Sequence, residues 1–298
     1  MRKITLLSCF IISLTFSAKS QYSTEFGLNL GASNYVGDIG GQLQTARPWL
    51  IDMKPQETRW ALGGYLRERL NKHFYLEVQL NWIRICGADS LSTNHGRVGR
   101  NLYFRNDIEE LSLLGDWVFF EITDMGGYYS YKSNFDAYLT FGASVFHHSP
   151  QSMYKGNWVD LEPLETEGKS YSLIQPGIPL GIGFFYTFNR QYRIGWNLIW
   201  TETFTDYLDD VSGKYAAFPD GSEAAAVANR TVAPGTMTPG GVMTASWANN
   251  YAPGNKRGNP GNNDSFITTQ ITLGYILKGR AHSYQHHSLF SYRSRSSF

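Results

Sequence analysis

Long hydrophobic runs are missing from this sequence of 298 residues, which contains no stretch of 18 or more apolar residues. A bundle of membrane-spanning helices is therefore excluded. Charge is also scarce: 17% of the residues are charged, against about a quarter in average soluble proteins. The 26 Lys and Arg residues nearly balance the 25 Asp and Glu residues, which argues against a nucleic-acid-binding protein built on net positive charge.

Cysteine is almost absent, with two residues in the chain, Cys9 and Cys86. Cys9 lies in a segment that we expect to be removed, so the mature protein would hold one cysteine and no internal disulfide. Glycine and aromatic residues are abundant instead, at 30 glycines and 15% aromatic residues. These proportions leave two classes open, a soluble β protein and a membrane β-barrel.

The first twenty residues have the pattern of a signal peptide. Arg2 and Lys3 precede an apolar core at 4–16, and the small residues Ala18 and Ser20 stand where a signal peptidase requires them. The core is too short to anchor the chain in a bilayer. We therefore expect cleavage after residue 20 and export of the mature chain.

Beyond this segment, apolar and polar residues alternate in stretches of about ten residues separated by breaks. The clearest stretch is 74–82, where five large apolar residues from Phe74 to Trp82 occupy one face of a strand. The pattern recurs at 135–145, 192–200 and 267–277, and more weakly near 24–35, 59–70, 108–120 and 172–188. The sequence therefore predicts eight strands.

The breaks alternate in length. Long breaks lie near 37–58, 87–107, 147–170 and 205–264, whereas those at 71–73 and 189–191 are tight and 121–134 is intermediate. Short periplasmic turns and long outer loops are typical of outer-membrane barrels. A soluble lipocalin-like barrel or a sandwich is the alternative, with its apolar residues facing inward.

The distribution of polar residues separates these alternatives. One face of the predicted strands carries Arg67, Glu77, Gln79, Asp116, Asp136, Arg193 and Gln270, and the other carries most of the large apolar side chains. Eight strands enclose little space, so the bulky apolar face belongs outside, against lipid. Aromatic girdles are expected from Trp60, Trp82, Trp117, Trp196, Trp200 and Tyr275. The prediction is an all-β, eight-stranded, antiparallel, up-and-down transmembrane β-barrel at 21–277, in contact with outer-membrane lipid.

The last long break, 205–264, changes character along its length. Residues 219–264 are rich in Gly, Pro and Asn, which predicts a mobile outer loop, whereas 204–215 is aromatic and acidic and should be ordered. Asp206, Asp209 and Asp210 offer oxygen ligands for a cation, although they fit the start of a helix as well. Both interpretations stay open.

The tail 278–298 is basic and is expected in the periplasm, because an even number of strands puts both chain ends on the side of the short turns. It contains no acidic residue, and its candidate partner-binding residues are Lys278, Arg280, Tyr284, Phe290, Tyr292, Arg293 and Arg295. A frayed, solvated end is the alternative. Three histidines, His282, His286 and His287, lack the acid or cysteine that would complete a metal site.

Evidence for catalysis is slight. His147 and Ser149 resemble the His-x-Ser arrangement of eight-stranded outer-membrane lipid A deacylases, but Pro150 follows directly, which predicts a loop at this point. No Walker loop, zinc motif or dinucleotide fingerprint occurs. We expect no enzyme, no cofactor, no metal and no nucleic-acid partner.

Two stretches carry a family resemblance. The first, at 26–39, includes Tyr35, Gly37 and Asp38; the second, at 203–212, includes Thr205, Asp206, Tyr207, Leu208, Asp209 and Asp210. Together they resemble the PorG-like outer-membrane barrels of the type IX secretion system of Bacteroidetes, over roughly 22–215 and the final strand. The second stretch is the more specific of the two.

This resemblance implies a non-enzymatic component that tethers a periplasmic ring, made of proteins resembling PorK and PorN, to the outer membrane. Other outer-membrane translocon components are further expected partners. The competing classes are an outer-membrane lipid-modifying enzyme and a small adhesin-like surface barrel.

Overall fold

The strands expected from alternation are present in the computed structural model, which describes residues 24–40, 55–124, 133–231 and 251–277. Within these residues the strands are β1 Thr24–Val36, β2 Arg59–Arg69, β3 Phe74–Ala88, β4 Tyr103–Asp124, β5 Ser133–Tyr154, β6 Asn157–Asp160, β7 Ile174–Phe188, β8 Tyr192–Thr203 and β9 Ser265–Ile276. Two short helices, α1 His95–Arg100 and α2 Glu223–Ala228, lie in the connections, with single 3-10 turns at Pro55–Glu57, Asp89–Leu91 and Glu162–Leu164.

Eight of these strands close into a barrel. Each pairs antiparallel with its neighbour in the chain, apart from β6, which pairs with the end of β5 alone. The circle closes through β1 and β9, where Leu28 lies opposite Leu273. The predicted eight-stranded, antiparallel, up-and-down barrel is confirmed.

The outer surface carries the large apolar side chains. Leu80 is 64% exposed and Leu28 is 58% exposed, and similar side chains project from every barrel strand. Trp117 is exposed at the short-turn end of the β3–β4 pair, and Trp82 is exposed near the middle of β3, at the upper end of its run of outward apolar residues. A closed barrel with such an outside is stable only in lipid, because water would contact all of this apolar area.

Taking the short turns as the bottom, the lower interior holds a network of buried charges packed against Tyr138 and Phe185, and the upper interior holds the larger apolar cluster. Arg67 is 2% exposed and forms ion pairs with Glu77 and with Asp116, the latter at 3.0 Å. Arg193 forms an ion pair with Glu25. The predicted inward face is therefore confirmed: its seven polar residues, Arg67, Glu77, Gln79, Asp116, Asp136, Arg193 and Gln270, are all buried.

Three strands are longer than the sequence suggested. Pairing of β3 with β4 continues to Ala88 and Tyr103, so the expected break at 87–107 shrinks to the residues between them. Pairing of β4 with β5 reaches Gln151 and includes Pro150, whose carbonyl accepts a hydrogen bond from the Leu161 amide (2.9 Å). At the end with the long connections, β3, β4 and β5 therefore extend beyond the apolar belt, and β6 adds a fourth strand to this extension.

The connections are long at one end of the barrel and short at the other, as predicted. The short end holds the first residue of β1 and the last of β9, and by the usual asymmetry of such barrels it faces the periplasm. Part of the long β8–β9 connection is more regular than its composition suggested, since it contains α2 and a bridge between Lys214 and Lys256. No helix in the described parts of the chain is long and apolar enough to cross a membrane.

Candidate functional site at the outer mouth

The two stretches that carry the family resemblance meet at the outer mouth of the barrel. Tyr35, near the end of β1, places its hydroxyl oxygen 2.7 Å from Asp209 Oδ2 and 2.9 Å from Asp264 Oδ1. The same oxygen accepts a hydrogen bond from the Asp38 amide (2.8 Å). Asp206 lies beside these groups. We call Tyr35, Asp38, Asp206, Asp209 and Asp264 the outer-mouth cluster.

Gly37 is part of this arrangement because no side chain fits there. A Cβ on Gly37 would lie 1.9 Å from the Tyr35 hydroxyl and 2.0 Å from Asp264 Oδ1. These distances are far below van der Waals contact. The glycine of the Tyr-x-Gly-Asp pattern is therefore required because the backbone at Gly37 packs directly against the side chains of Tyr35 and Asp264.

Backbone amides donate further hydrogen bonds to the carboxyl groups of Asp209 and Asp264. Asp209 accepts hydrogen bonds from the amides of Ile39 (3.0 Å) and Val211 (2.9 Å). Asp264 Oδ2 accepts one from the Leu208 amide (3.0 Å). The carboxylates therefore fix the backbone of the β8–β9 connection across the mouth.

The connection also closes the mouth with apolar side chains. Leu208 and Val211 are fully buried and pack with Tyr35, Phe146 and Phe266 in one core cluster. The expectation of an ordered segment at 204–215 is confirmed. The helix alternative for its aspartates is wrong, because this segment forms bends instead of a helix.

Arg100, at the end of α1, joins three of the connections. Its guanidinium forms an ion pair with Asp89 (2.7 Å) and donates to the carbonyl oxygens of Asp38 (2.7 Å) and Arg257 (2.6 Å). Because all of these groups are buried, removing the guanidinium would leave several polar atoms without partners.

A second set of contacts holds Asp210, the last aspartate of the motif. Its carboxylate accepts hydrogen bonds from Thr166 and from Tyr171 (2.8 Å), and Arg257 lies 3.4 Å away. Arg257 also forms an ion pair with Glu167 (3.2 Å). Asp210 is therefore a structural anchor between the β6–β7 and β8–β9 connections.

The remaining motif residues support the same fold. The Thr205 carbonyl accepts a hydrogen bond from the Asp264 amide (3.0 Å), and its hydroxyl accepts one from the Tyr207 amide (3.2 Å). The ring of Tyr207 stacks on Tyr171 with centroids 4.6 Å apart. All nine motif residues named from the sequence thus lie at one end of the barrel.

Burial raises the pKa of every carboxyl group in the cluster. It raises the pKa of Asp209 to about 8, with the neighbouring Asp38 adding to the effect, and the pKa of Asp206 to about 8. The pKa of Asp264 rises well above its usual range because of burial and the charges of Asp209 and Asp206. The pKa of Asp38 is also raised by burial. The cluster therefore holds protons more tightly than free carboxyl groups do.

No three His, Cys, Asp or Glu side chains in the described ranges lie close enough together to hold a metal ion. The carboxyl oxygens of Asp209 and Asp210 face hydroxyl groups, backbone amides and Arg257, which occupy the positions that a cation would need. The cation interpretation of Asp206, Asp209 and Asp210 receives no support from this geometry.

His147 and Ser149 lie on β5 and not in a loop, so that prediction was wrong. The reason is the continued pairing with β4, in which Ser149 lies opposite Asp107. The Ser149 hydroxyl is 3.4 Å from Asp160 Oδ1, and no hydrogen bond to His147 is formed in this part of the structure. His148 points inward, is buried and contacts Asn106.

The opposite, periplasmic mouth contains a cavity of about 260 Å³. Its charged lining consists of Glu25, Arg69, Glu121, Arg190 and Arg193. Arg193 and Glu25 form its floor, and Arg69 lies over the ring of Tyr75. The candidate partner-binding residues Lys278, Arg280, Tyr284, Phe290, Tyr292, Arg293 and Arg295 lie outside the described residues, as does the signal peptide.

Sequence reasoning missed several residues of the outer-mouth site. Asp264, Asp89, Arg100, Glu167 and Arg257 each contribute a buried ionisable group to it. Glu167 is nearly buried at its side chain and accepts hydrogen bonds from the amides of Ser212 (2.9 Å) and Gly213 (2.7 Å). None of these residues stands in a recognisable motif. A charged residue in a predicted loop is ordinarily solvated, so nothing in the sequence signalled their burial.

Comparison with protein families gives one decisive match. The family model described as "Domain of unknown function (DUF6089)" matches residues 2–220, well over half of the chain. The chain belongs to the DUF6089 family. The match contains both motif stretches but ends before Asp264, so this DUF6089 chain completes its site with a residue beyond the matched region. No curated protein matches the sequence.

Several solved outer-membrane barrels are similar. OprG of Pseudomonas aeruginosa shares 11% identity over 87% of this chain and 99% of its own, with a TM-score of 0.38. The N-terminal barrel domain of OprF from the same organism shares 7% over 86% and 100%, with a TM-score of 0.35. Ail, the attachment invasion locus protein of Yersinia pestis, in complex with the heparin analogue sucrose octasulfate, shares 9% over 86% and 99%, with a TM-score of 0.34.

At these identities the likenesses concern the fold and carry no argument about function. The barrel's own surface is the physical evidence for its location: its apolar belt requires lipid, and a closed β-barrel satisfies all of its backbone hydrogen bonds there. This member of the DUF6089 family is an outer-membrane β-barrel.

Proposed function

We propose that this protein is a non-enzymatic outer-membrane component of a type IX protein secretion system, which tethers a periplasmic ring to the membrane. The observation that carries the proposal is the meeting of both motif stretches, Tyr35 to Asp38 and Thr205 to Asp210, in one buried site. The stretches that resemble PorG-like barrels thus act as a unit, which is expected if they define this type of barrel.

The difference between the two ends of the barrel supports a periplasmic partner. The outer mouth is closed by Leu208 and Val211, whereas the periplasmic mouth is open to a charged cavity. Both ends of the barrel sequence also lie on the periplasmic side. A partner that binds there would meet charges of both signs, including Arg190 and Glu121 at the rim.

A pull-down in mild detergent tests the proposal. The tagged full-length protein should retain proteins resembling PorK and PorN, identified by mass spectrometry. Arg190→Glu, at the exposed periplasmic turn, and truncation after Arg280 should each reduce this recovery. Lys169→Glu is the matched control, because it reverses a charge at the exposed outer end and should leave recovery unchanged.

The outcome that contradicts the proposal is equally definite. If ring proteins are absent from the wild-type pull-down, or if recovery is the same in both periplasmic variants as in wild type, the tether function is wrong in this form. Barrel assembly is checked in parallel by the gel mobility shift on heating, so that a folding defect is not mistaken for lost binding.

An adhesin-like surface barrel is the second candidate. The extended wall of β3, β4 and β5 favours it, because it carries the β5–β6 hairpin and the exposed Trp158 beyond the apolar belt. A deletion in the β8–β9 connection tests this adhesin function. Residues 204–231 and 251–264 include the closure of the outer mouth, so the deletion should be confined to 232–250. Reduced cell-surface attachment by this deletion or by Trp158→Ala, with normal ring recovery, would favour adhesion.

A lipid-modifying enzyme is the third class, and its test is Ser149→Ala. The serine faces outward on β5 beside Asp160, with no hydrogen bond to His147. We expect unchanged lipid A acylation by mass spectrometry in cells that carry this variant. A changed acylation pattern would contradict the non-enzymatic function.

A further inference from the structure

The geometry points to a proton-dependent lock at the outer mouth: we propose that protonated Asp264 donates a hydrogen bond to the Tyr35 hydroxyl oxygen, and that loss of this proton at alkaline pH releases segment 204–215 from the mouth. The inference rests on the outer-mouth cluster and does not depend on the secretion role. Its failure would leave the tether proposal untouched, since the two concern opposite ends of the barrel.

The Tyr35 hydroxyl has too few protons for the contacts that it makes. A hydroxyl group has one proton to donate and two lone pairs that accept. One lone pair accepts from the Asp38 amide, yet carboxyl oxygens of both Asp209 and Asp264 lie within 2.9 Å. The hydroxyl proton serves one of them, so the other contact is a hydrogen bond only if that carboxyl group supplies a proton.

The partners of the two carboxyl groups decide which one carries this proton. Asp209 accepts from two backbone amides, those of Ile39 and Val211, one on each oxygen. Asp264 accepts from the Leu208 amide on Oδ2, and its Oδ1 faces the Tyr35 hydroxyl. The chain of donors therefore runs from Asp264 Oδ1 to the Tyr35 oxygen and from that hydroxyl to Asp209 Oδ2.

The surrounding charges favour retention of the proton. The other acidic groups that face the cluster from neighbouring connections are Asp89, Glu167 and Asp210, and the cationic groups are Arg97, Arg100, Lys256 and Arg257. Arg100 is paired with Asp89, and Arg257 with Glu167 and Asp210. Arg97, Arg100 and Lys256 lower the pKa of Asp38, whereas the charges that act most strongly on Asp264 are those of Asp209, Asp206 and Asp38, which raise its pKa.

Uncharged groups complete the surroundings. Tyr207 and Tyr215 come from the β8–β9 connection, and His148 of β5 reaches the cluster only through Asn106, which donates to the Leu208 carbonyl (2.7 Å). None of these groups supplies a positive charge to Asp264 in this arrangement. Protonation is therefore the way in which the buried Asp264 carboxyl group becomes neutral.

Asp206 gives an independent indication of a retained proton. It is 8% exposed, and neither of its oxygens accepts a well-formed hydrogen bond among the described residues, although Ser212 lies close enough to lower its pKa. An ionised carboxylate in this position would be poorly solvated. Burial raises the pKa of Asp206 to about 8, so this carboxyl group holds its proton at neutral pH.

The sign of the effect follows from linkage. A carboxyl group whose pKa is raised in the closed state stabilises that state fully below its ordinary pKa, and loses this contribution as pH rises through the raised value. Because burial and the neighbouring carboxyl groups raise the pKa of Asp264 well above its usual range, the equilibrium constant for opening rises with pH until that raised value is passed, by up to about tenfold per pH unit for this proton. Segment 204–215 should then separate from the mouth.

Hydrogen–deuterium exchange of segment 204–215 in the full mature barrel, in detergent micelles, tests the lock. Each rate is divided by that of an unstructured peptide at the same pH. Between pH 7 and pH 9 we expect the corrected rate to rise by about tenfold more in wild type than in Asp264→Asn, whose amide donates permanently to the Tyr35 oxygen. The rise that remains in the variant belongs to Asp206, which still titrates.

Asp89→Asn is the matched control, because it removes an ion-paired carboxylate of the same mouth. It should raise exchange by a similar factor at both pH values and keep the wild-type dependence on pH. If Asp264→Asn does not fold, Asp209→Asn replaces it, since it removes the repulsion across the same hydroxyl.

Three results would overturn the proposal. The first is equal exchange in wild type at pH 7 and pH 9, and the second is an unchanged pH dependence in the asparagine variant. The third is a return of wild-type exchange at pH 9 to its pH 7 level on addition of millimolar Ca²⁺, which would make the cluster a cation site.

Discussion

A Cβ on Gly37 would lie 2.0 Å from Oδ1 of Asp264, although 227 positions separate the two residues in the chain. The contact joins the end of β1 to the residue before β9, so the barrel closes at its outer mouth through a backbone approach that glycine alone permits. Replacement of either residue therefore has a defined consequence.

Gly37→Ala should destabilise the outer mouth by about 1–3 kcal/mol, the usual cost of overpacking, because the added methyl overlaps the Tyr35 hydroxyl and the Asp264 carboxylate. Gly64→Ala is the matched control, since its Cβ would meet nothing closer than the Gly27 carbonyl at 3.5 Å. Urea unfolding followed by tryptophan fluorescence compares them. Equal unfolding midpoints for the two variants would contradict the packing argument.

Arg67→Met should destabilise the barrel by about 3–5 kcal/mol, because it leaves the carboxylates of Glu77 and Asp116 buried without their counter-charge. Arg84→Met removes an ion pair with Asp107 on the outer surface, where both side chains are partly exposed, and should cost about 1 kcal/mol or less. The same urea titration measures both. A smaller loss of unfolding free energy for Arg67→Met than for Arg84→Met would show that the ion pairs of Arg67 do not stabilise the barrel.

Leu80→Arg should destabilise the folded barrel by about 2–4 kcal/mol, because this side chain projects from the middle of the apolar belt. Leu70→Arg, at the turn after β2, should cost at most about 1 kcal/mol, since the charge reaches the interface. Folding into lipid vesicles, read from the heat-dependent gel shift, separates the two. Equal yields would mean that the belt does not face lipid.

The purified barrel should not conduct ions steadily in planar-bilayer recordings. Arg67, Glu77 and Asp116 fill the lower interior, and Leu208 with Val211 closes the outer mouth. A deletion of the whole β8–β9 connection serves as the comparison, because it removes the closure and leaves the ion pairs. Large, steady single-channel currents from the intact protein would contradict a filled interior.

The strands and their faces could be predicted from the sequence because the information is local. Side chains of a strand alternate between two faces, so the run from Phe74 to Trp82 indicates its own orientation without reference to the rest of the chain. The narrow interior of eight strands then places Arg67 and Glu77 inside, and the alternation of short and long breaks gives the up-and-down order. The fold class followed from these arguments.

The extent of the strands was not determined in the same way. The apolar alternation of β3 ends after Trp82, and that of β4 begins only at Ile108, because the strands leave the lipid between these points. The hydrogen-bonded pairing of β3 with β4 nevertheless continues to Ala88 and Tyr103. Backbone pairing needs no apolar side chains. This is why His147 and Ser149, predicted in a loop, lie on a strand.

The outer mouth was decided by the tertiary structure alone. The motif residues Tyr35 and Asp209 were identifiable, but their bridging partner Asp264 lies 229 positions from Tyr35 in a Gly- and Asn-rich loop. Which loop carboxylate enters the mouth depends on how the barrel closes, and no local pattern encodes that. The sequence by itself determined a lipid-facing barrel with a polar interior, whereas its closure, its buried charges and its shared proton arise from contacts between distant segments.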